Sequence, residues 1–168
     1  MAHWVLQGNP TRWEDPHRLW TEPVTRWCVT GVQRQVAVGD GVLLWLANRD
    51  PAHRGVHAVA RVEGEPTTEA GSPKPYVDLS VTDYVVHDPV SVLELRESAF
   101  ATHPILRMAR RTAYPCSPEE YDAAVALVAA HGPTRMPPAH GGAEGPASEG
   151  AARPYPAQDG RDRVRGTM

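Results

Sequence analysis

Apolar and polar residues alternate with a period of two over most of residues 1–132, which predicts a chain built mainly of β-strands. We predict strands over residues 3–7, 41–47, 55–63 and 76–86, separated by turns and a Pro- and Gly-containing loop over 64–75. The second strand, GVLLWLA, is almost wholly apolar, which indicates burial on both faces. The third alternates small apolar residues with His, Val and Arg, so we expect one arginine-bearing face.

A helix is predicted over residues 118–130. Ser117 is a good N-cap, Pro118 suits the first helical position and Glu120 completes a capping box. One apolar stripe of this helix consists of Tyr121, Ala124, Val125 and Val128. We also predict helical turns near residues 16–20 and 91–97, and a strand or extended connection over 105–113.

This order of elements indicates an α+β fold, a small twisted mixed β-barrel with peripheral helices. A doubly wound parallel sheet is excluded, because helices do not separate the strands. From Pro133 onward the segment holds six Pro and six Gly and few large apolar residues, too few to offset the entropy of ordering the backbone. We therefore predict one domain over residues 1–132 and a disordered tail over 133–168.

Charge narrows the functions that the domain can have. Of the net charge of −3, the tail contributes +1, from five Arg against four acidic residues, so the body carries −4. A body of that charge is not a nonspecific phosphate binder that works by counterion release. If it binds nucleic acid, it needs a local arginine patch and a shaped pocket.

Enzyme motifs are not found in the sequence. It contains no GxSxG elbow, no GxxxxGK phosphate loop and no GxGxxG segment, and its two Cys and eight His show no spacing typical of a metal site. We predict no catalytic residues, no metal and no cofactor. The first residues lack the features of a secretory signal, so we expect a cytoplasmic location.

The tryptophans suggest a binding site. Four of the five lie in the first 27 residues. Trp4, Trp13 and Trp20 are read as core residues, whereas Trp27 and Trp45 have polar sequence neighbours that could frame a pocket. Two aromatic walls with a few fixed donors suit a planar heterocycle, and stacking contributes roughly 1–3 kcal/mol per base.

Several blocks of the sequence together resemble a known family. The blocks HWVLQGNP, RWCVTGVQRQVAVGDGVLLWLANRDPAHRGVHAVARVEGEP, VDLSVTDYV and HPILRMARRTAYPCSPEEYDA are similar, in this order, to an EVE domain over about residues 2–130. EVE domains belong to the PUA-like superfamily, with YTH and ASCH domains as relatives. The resemblance implies a small β-barrel ringed by helices, with a pocket between the barrel and the N-terminal segments.

The resemblance also implies a function and a site. Relatives take one modified base of a nucleic acid into the pocket; EVE domains are associated with modified cytosine in DNA and YTH domains with methylated adenine in RNA. The extruded base would lie between Trp27 and Trp45 and be hydrogen-bonded on its edge. The expected pocket residues are Gln7, Asn9, Pro10, Trp27, Thr30, Trp45, Asn48 and Gly55. The expected phosphate contacts are Arg34, Arg49, Arg54, Arg110 and Arg111.

We therefore expect a noncatalytic module that binds nucleic acid with a modified base, in DNA rather than RNA, and acts through an effector protein in trans. Two alternatives stay open. One is a small ASCH-like hydrolase of a nucleoside-like or amide ligand, with His57, Asp78 or Glu63 as general base. The other is a protein-interaction adaptor that uses the tail.

Overall fold

The computed structural model describes residues 1–10, 24–69, 71–85, 87–107 and 110–133. Trp13, Trp20, the predicted helical turn at 16–20 and the predicted tail beyond residue 133 lie outside the described residues. The disordered character of the tail and the domain boundary at residue 132 therefore stay predictions.

A single curled, mixed sheet organises the described chain. Its strands are β1 (His3–Gly8), β2 (Arg26–Cys28), β3 (Gly41–Leu46), β4 (Gly55–Val62), β5 (Thr67–Thr68), β6 (Pro75–Tyr84), β7 (Val90–Ser91) and β8 (Ala113–Cys116). The strand order is β2-β6-β4-β3-β1-β8, with β5 beside β6 and β7 beside β4. β1 and β3 are parallel, and the other pairs are antiparallel.

The sheet buries hydrophobic residues on both faces. On the inner face, Trp27 of β2 and Ala113 of β8, from the two ends of the strand order, belong to one packed cluster with Leu44 and Leu46. A sheet whose outermost strands share one cluster is curled into a half-barrel. The outer face packs Leu43 and other side chains against the helical segments. The predicted small mixed barrel of the α+β class is confirmed.

In the described part of the chain two α-helices flank the sheet, α1 (Val92–Leu95) and α2 (Pro118–Ala130). Each begins with a capping box, formed by Ser91 with Glu94 and by Ser117 with Glu120. Short 3₁₀ helices cover Ala99–Thr102 and Pro104–Leu106. The helix predicted over 118–130 and the helical turn predicted over 91–97 are confirmed, as are the four predicted strands within two residues of their ends. Within the described ranges, none of the helices has the length and apolar character needed to cross a bilayer.

Three expectations from the sequence need correction. The described residues of the range 105–112 are not in a strand; the 3₁₀ turn Pro104–Leu106 comes first and β8 starts only at Ala113. The loop over 64–75 contains the short strand β5. The expected arginine-bearing face of β4 is largely buried, because Val59 packs in the outer cluster and His57 is buried too; Arg61 is the exposed residue of the strand.

Asp40 fixes the starts of β1 and β3. Its carboxylate accepts hydrogen bonds from the backbone N–H of Ala2 at 2.8 Å, from the Trp4 indole N–H at 2.9 Å and from the backbone N–H of Ala37 at 3.0 Å. Burial by itself would raise the pKa of Asp40, but these hydrogen bonds bring its pKa below the ordinary value. The charged carboxylate therefore stabilises the register of the two strands.

We predict that Asp40→Asn lowers the free energy of unfolding by about 1–3 kcal/mol at pH 7, since the side-chain amide would place N–H groups against N–H donors. Because the folded-state pKa is lowered, the stabilisation by Asp40 is present above the unfolded pKa of about 3.9 and is lost as the pH falls through the folded value. The difference between wild type and variant, measured by urea unfolding, should therefore shrink below about pH 4. Asp122→Asn, at an exposed position of α2, is the control. A difference that is equal at pH 7 and pH 3 would contradict this role.

Candidate functional site

The parallel pairing of β1 and β3 brings two distant polar segments together. Gly8 is paired with Leu46 at the ends of these strands, and the N–H of Ala47 donates to the carbonyl of Gly8 at 2.8 Å. The residues that follow, Asn9 and Pro10 after β1 and Asn48 and Arg49 after β3, therefore leave the sheet at the same end. We call this region the β1–β3 end; it comprises residues 8–10, 30, 47–49, 54–55 and 110–112.

The remaining members reach the β1–β3 end through hydrogen bonds. The N–H of Gln7 donates to the carbonyl of Thr112 at 2.8 Å, which places the start of β8 beside the end of β1. The Thr112 hydroxyl donates in turn to the carbonyl of Thr30 at 2.9 Å. β4 also begins here, because Gly55 is paired with Leu46. The structure therefore gathers most of the residues that the sequence assigned to a pocket.

Gly55 has a structural reason to be glycine. A Cβ at this position would lie 2.0 Å from the carbonyl oxygen of Val90, because β7 pairs with β4 at this point. The close approach holds the backbone of Arg54 against α1, and the N–H of Val92 donates to the Arg54 carbonyl at 2.8 Å. Gly55 thus shapes the β1–β3 end through its backbone.

Four of the five predicted phosphate contacts lie at the β1–β3 end. Arg49, Arg110 and Arg111 are exposed and Arg54 is half-buried, and none of them forms an ion pair within the part of the chain that the structure describes. Their charges are therefore available to a ligand. Arg34 is also exposed, but it lies farther along the turn over residues 30–35, and among the described residues no hydrogen bond joins it to this end.

The nearest carboxylate along the chain is locally engaged. Asp50 lies 2.8 Å from His53 and accepts a hydrogen bond from the N–H of Ala52 at 3.0 Å, while Asn48 accepts from the N–H of Asp50 at 3.1 Å. Hydrogen bonding, from His53 foremost, lowers the pKa of Asp50. The loop after β3 thus has a defined shape, and its side chains present Asn48 and Arg49 to solvent.

The expected aromatic sandwich is wrong. Trp27 is 3% exposed in the inner cluster, whereas Trp45 is 0% exposed in the outer one. Side chains alternate along β3, so Leu44 and Leu46 face inward with Trp27, and Trp45 between them faces the helices. Because the sheet separates the two indoles, they are not the facing walls of one slot.

Three buried side chains that carry polar atoms lie next to the β1–β3 end, those of Gln7, His57 and Trp45. Gln7, 4% exposed, is the register partner of Trp45, and His57 follows Val56, the partner of Trp45 on β4. One ring nitrogen of His57, Nε2, lies 3.1 Å from the carbonyl of His53. The indole N–H of Trp45 has no acceptor in the structure as described, although buried tryptophans usually find one. Gln7 is therefore buried near the site and Asn9 is half-buried, while Thr30 and Asn48 are exposed at its surface.

Sequence reasoning missed Tyr114, which lies on β8. Its hydroxyl accepts hydrogen bonds from the backbone N–H groups of Arg110 at 2.8 Å and Arg111 at 2.9 Å. The sequence shows Tyr114 only as one aromatic residue before a proline, which indicates a core position. Nothing in the apolar pattern indicates that its hydroxyl reaches back to the arginines.

The residues considered for a hydrolase do not converge. His57 lies near the start of β4, whereas Glu63 and Asp78 lie beyond its other end, where the N–H of Glu63 donates to the carbonyl of Asp78 at 2.9 Å. Asp78 is exposed and paired with Arg26 at 3.3 Å. The three alternative bases therefore lie at two different ends of the strand, and the hydrolase stays an untested alternative.

His103, Cys116 and Glu120 offer ligand atoms within 4.8 Å of one another. The two ring nitrogens of His103 are engaged by the backbone, Nε2 with the Pro115 carbonyl at 3.1 Å and Nδ1 with the Ile105 N–H at 3.2 Å. Burial, and then the nearby Glu120 charge, raises the pKa of Cys116 to about 12. Because the backbone engages both ring nitrogens of His103, a metal ion would have to displace one of these hydrogen bonds to bind there.

Comparison with known proteins places this fold and site in context. Residues 2–127 match the family model of the EVE domain. Similar solved structures include a protein from Pseudomonas putida, with 19% identity over 76% of this chain and 99% of that chain at a TM-score of 0.56. A hypothetical protein from Leishmania major has 17% identity over 79% of this chain and 97% of that chain, with a TM-score of 0.59.

Human THYN1, solved in complex with DNA that contains 5-methylcytosine, has 14% identity over 76% of this chain and 98% of that chain, with a TM-score of 0.57. No curated protein matches the sequence. The family match covers well over half of the 168 residues, in agreement with the resemblance read from the sequence blocks. The chain therefore belongs to the EVE domain family.

Proposed function

We propose that this EVE domain is a noncatalytic nucleic-acid-binding module that takes a modified base, with modified cytosine in DNA as the first candidate, into the β1–β3 end. The observation that carries the proposal is that arginines without an ion-pair partner among the described residues meet the exposed side chains of Asn48 and Thr30 at one end of the sheet of an EVE domain. The complex of human THYN1 with DNA containing 5-methylcytosine supports the choice of ligand.

The arginines suit contacts to the phosphate backbone. Guanidinium groups bind phosphate oxygens with charge-assisted hydrogen bonds, and such contacts orient a protein without reading the base. Arg49, Arg110 and Arg111 have no competing carboxylate partner among the described residues, so a phosphate would not have to displace one.

The polar groups suit recognition of a base edge. The exposed amide of Asn48 has two N–H donors, and its oxygen accepts from the N–H of Asp50 at 3.1 Å. Thr30 is exposed and its hydroxyl lies 3.0 Å from the Cys28 sulfur, while Asn9 carries a half-buried amide. A base extruded from its stack costs a few kcal/mol, which hydrogen bonds on the exposed edge and the phosphate contacts must offset. Because the sheet separates Trp27 from Trp45, the proposal rests on these polar groups and not on an indole sandwich.

The first prediction concerns selectivity for the modification. A short duplex with one central 5-methylcytosine should bind more tightly than the same duplex with cytosine, by at least about fourfold if one methyl group is buried at about 0.8 kcal/mol. Fluorescence anisotropy of labelled duplexes measures this, with an N6-methyladenine duplex and an RNA of the same sequence as comparisons. Equal affinity for all duplexes would contradict the proposed selectivity for a modified base. Absence of binding at low salt would refute the proposed function as a whole.

The second prediction concerns the arginines. Arg49→Ala should weaken binding to methylated and unmethylated duplexes by the same factor, since a phosphate contact carries no base information. The slope of log K against log salt concentration should fall in magnitude by about 1.

Arg61→Ala is the matched control for this prediction. Arg61 is also an exposed arginine of the sheet region, but it is paired with Gly41 at the opposite end of β4 from the site. Its substitution should leave the affinity and the salt slope unchanged. If the two variants lose affinity equally, the contact surface is not the β1–β3 end.

A further inference from the structure

The hydroxyl of Tyr114 closes a small backbone loop around the two arginines. A hydroxyl oxygen has two lone pairs, and here it accepts from two consecutive N–H groups, those of Arg110 at 2.8 Å and Arg111 at 2.9 Å. Arg110 and Arg111 are exposed, so water could satisfy the same N–H groups at little cost. What the hydroxyl adds is a fixed direction for the backbone that carries both guanidinium groups.

Packing in the outer cluster fixes the position of the Tyr114 phenol ring. Its side chain is buried in the outer cluster, and its ring meets the His103 ring edge-on with centroids 5.9 Å apart. His103 is stacked on Phe100 at 4.5 Å, and the backbone engages both of its ring nitrogens. Burial lowers the pKa of His103, so this ring stays neutral near pH 7. The Tyr114 hydroxyl is therefore part of an ordered group of aromatic rings, which we call the aromatic stack and which consists of Tyr114, His103 and Phe100.

The other end of the loop is fixed as well. The carbonyl of Thr112 accepts from the N–H of Gln7, and the Thr112 hydroxyl is bonded to Thr30. Tyr114 itself is paired with Val5 on β1. Arg110 and Arg111 thus lie in a segment whose backbone is tied to the barrel at residue 112 and to the aromatic stack through residue 114.

We propose that Tyr114 is a positioning residue for nucleic-acid binding, which holds the backbone of Arg110 and Arg111 in the orientation that presents their guanidinium groups to phosphates. The inference rests on the proposed function. A pair of charges on a preordered backbone loses less conformational freedom on binding, so it binds more tightly than the same charges on a loose loop. Tyr114 touches neither base nor phosphate in this role.

A double-mutant cycle tests the proposal with the full chain and the 5-methylcytosine duplex. Tyr114→Phe should weaken binding about three- to tenfold, as expected when the order of two side chains is lost. The double variant Arg110→Ala with Arg111→Ala should reduce the magnitude of the salt slope by about 2. Adding Tyr114→Phe to that double variant should change the affinity no further, because Tyr114 acts through the arginines.

Tyr121→Phe is the control, since it also removes a phenol hydroxyl next to the sheet. Tyr121 lies on α2 and stacks on His3 at 4.2 Å, at the start of β1 and so at the opposite end from the site. Its affinity should equal that of the wild type. A second measurement does not depend on any variant: amide hydrogen exchange of the free wild type should show the Arg110 and Arg111 N–H groups protected although both residues are exposed.

The outcomes separate this inference from the proposed function. If the wild type binds no duplex, the proposed function fails and the role of Tyr114 in binding fails with it. If the wild type binds and Tyr114→Phe binds equally well, or if Tyr114→Phe weakens the arginine-free variant to the same extent as the wild type, only the positioning role is overturned. Unprotected Arg110 and Arg111 amides in the free protein would also overturn it.

Discussion

The parallel pairing of β1 with β3 is the constraint on which the site depends. In a sheet whose other pairs are antiparallel, it is the contact that sends two segments far apart in sequence out of the same end. The register must also be correct, because a slip of one residue would move Gln7 and Trp45 to the opposite face. The three hydrogen bonds to the Asp40 carboxylate secure the register at the far end, where both strands begin. A buried charge at one end of the sheet therefore determines which side chains meet at the other.

Much of the fold could be predicted from local signals in the sequence. The capping box and the proline at the first position located α2 to the residue, and the unbroken apolar run located β3 and its burial on both faces. These features depend on neighbours within four residues, which a sequence displays directly. β2 was missed because three residues show too little of a pattern, and β8 was displaced because the prolines at 104 and 115 obscure where an extended segment starts.

The membership of the site stays a prediction. The resemblance to EVE domains suggested the pocket residues, and the backbone brings most of these residues to one end of the sheet. Their arrangement was not predictable, because it depends on which face each side chain takes once the sheet has curled. Trp45 has Asn48 as a close sequence neighbour, yet the indole is inside the outer cluster and the amide is in solvent beyond the strand end. The hydrogen bonds from the N–H groups of Arg110 and Arg111 to the Tyr114 hydroxyl could not be predicted either, because the pattern of apolar residues gives no sign of them.

A domain with a negative net charge can still present a cationic site if positively charged side chains elsewhere pair with its carboxylates. Glu69 and Asp78 pair with Arg26, and Asp88 and Glu94 bracket His131. Burial by itself would lower the pKa of His131, but its carboxylate partners raise it, so the positive form is favoured there. Exposed charges farther apart than about 10 Å are largely screened at 0.1 M salt, so a phosphate responds to the local arginines more than to the net charge. The distribution of ion pairs, rather than the overall charge of −3, therefore decides whether the β1–β3 end attracts an anion.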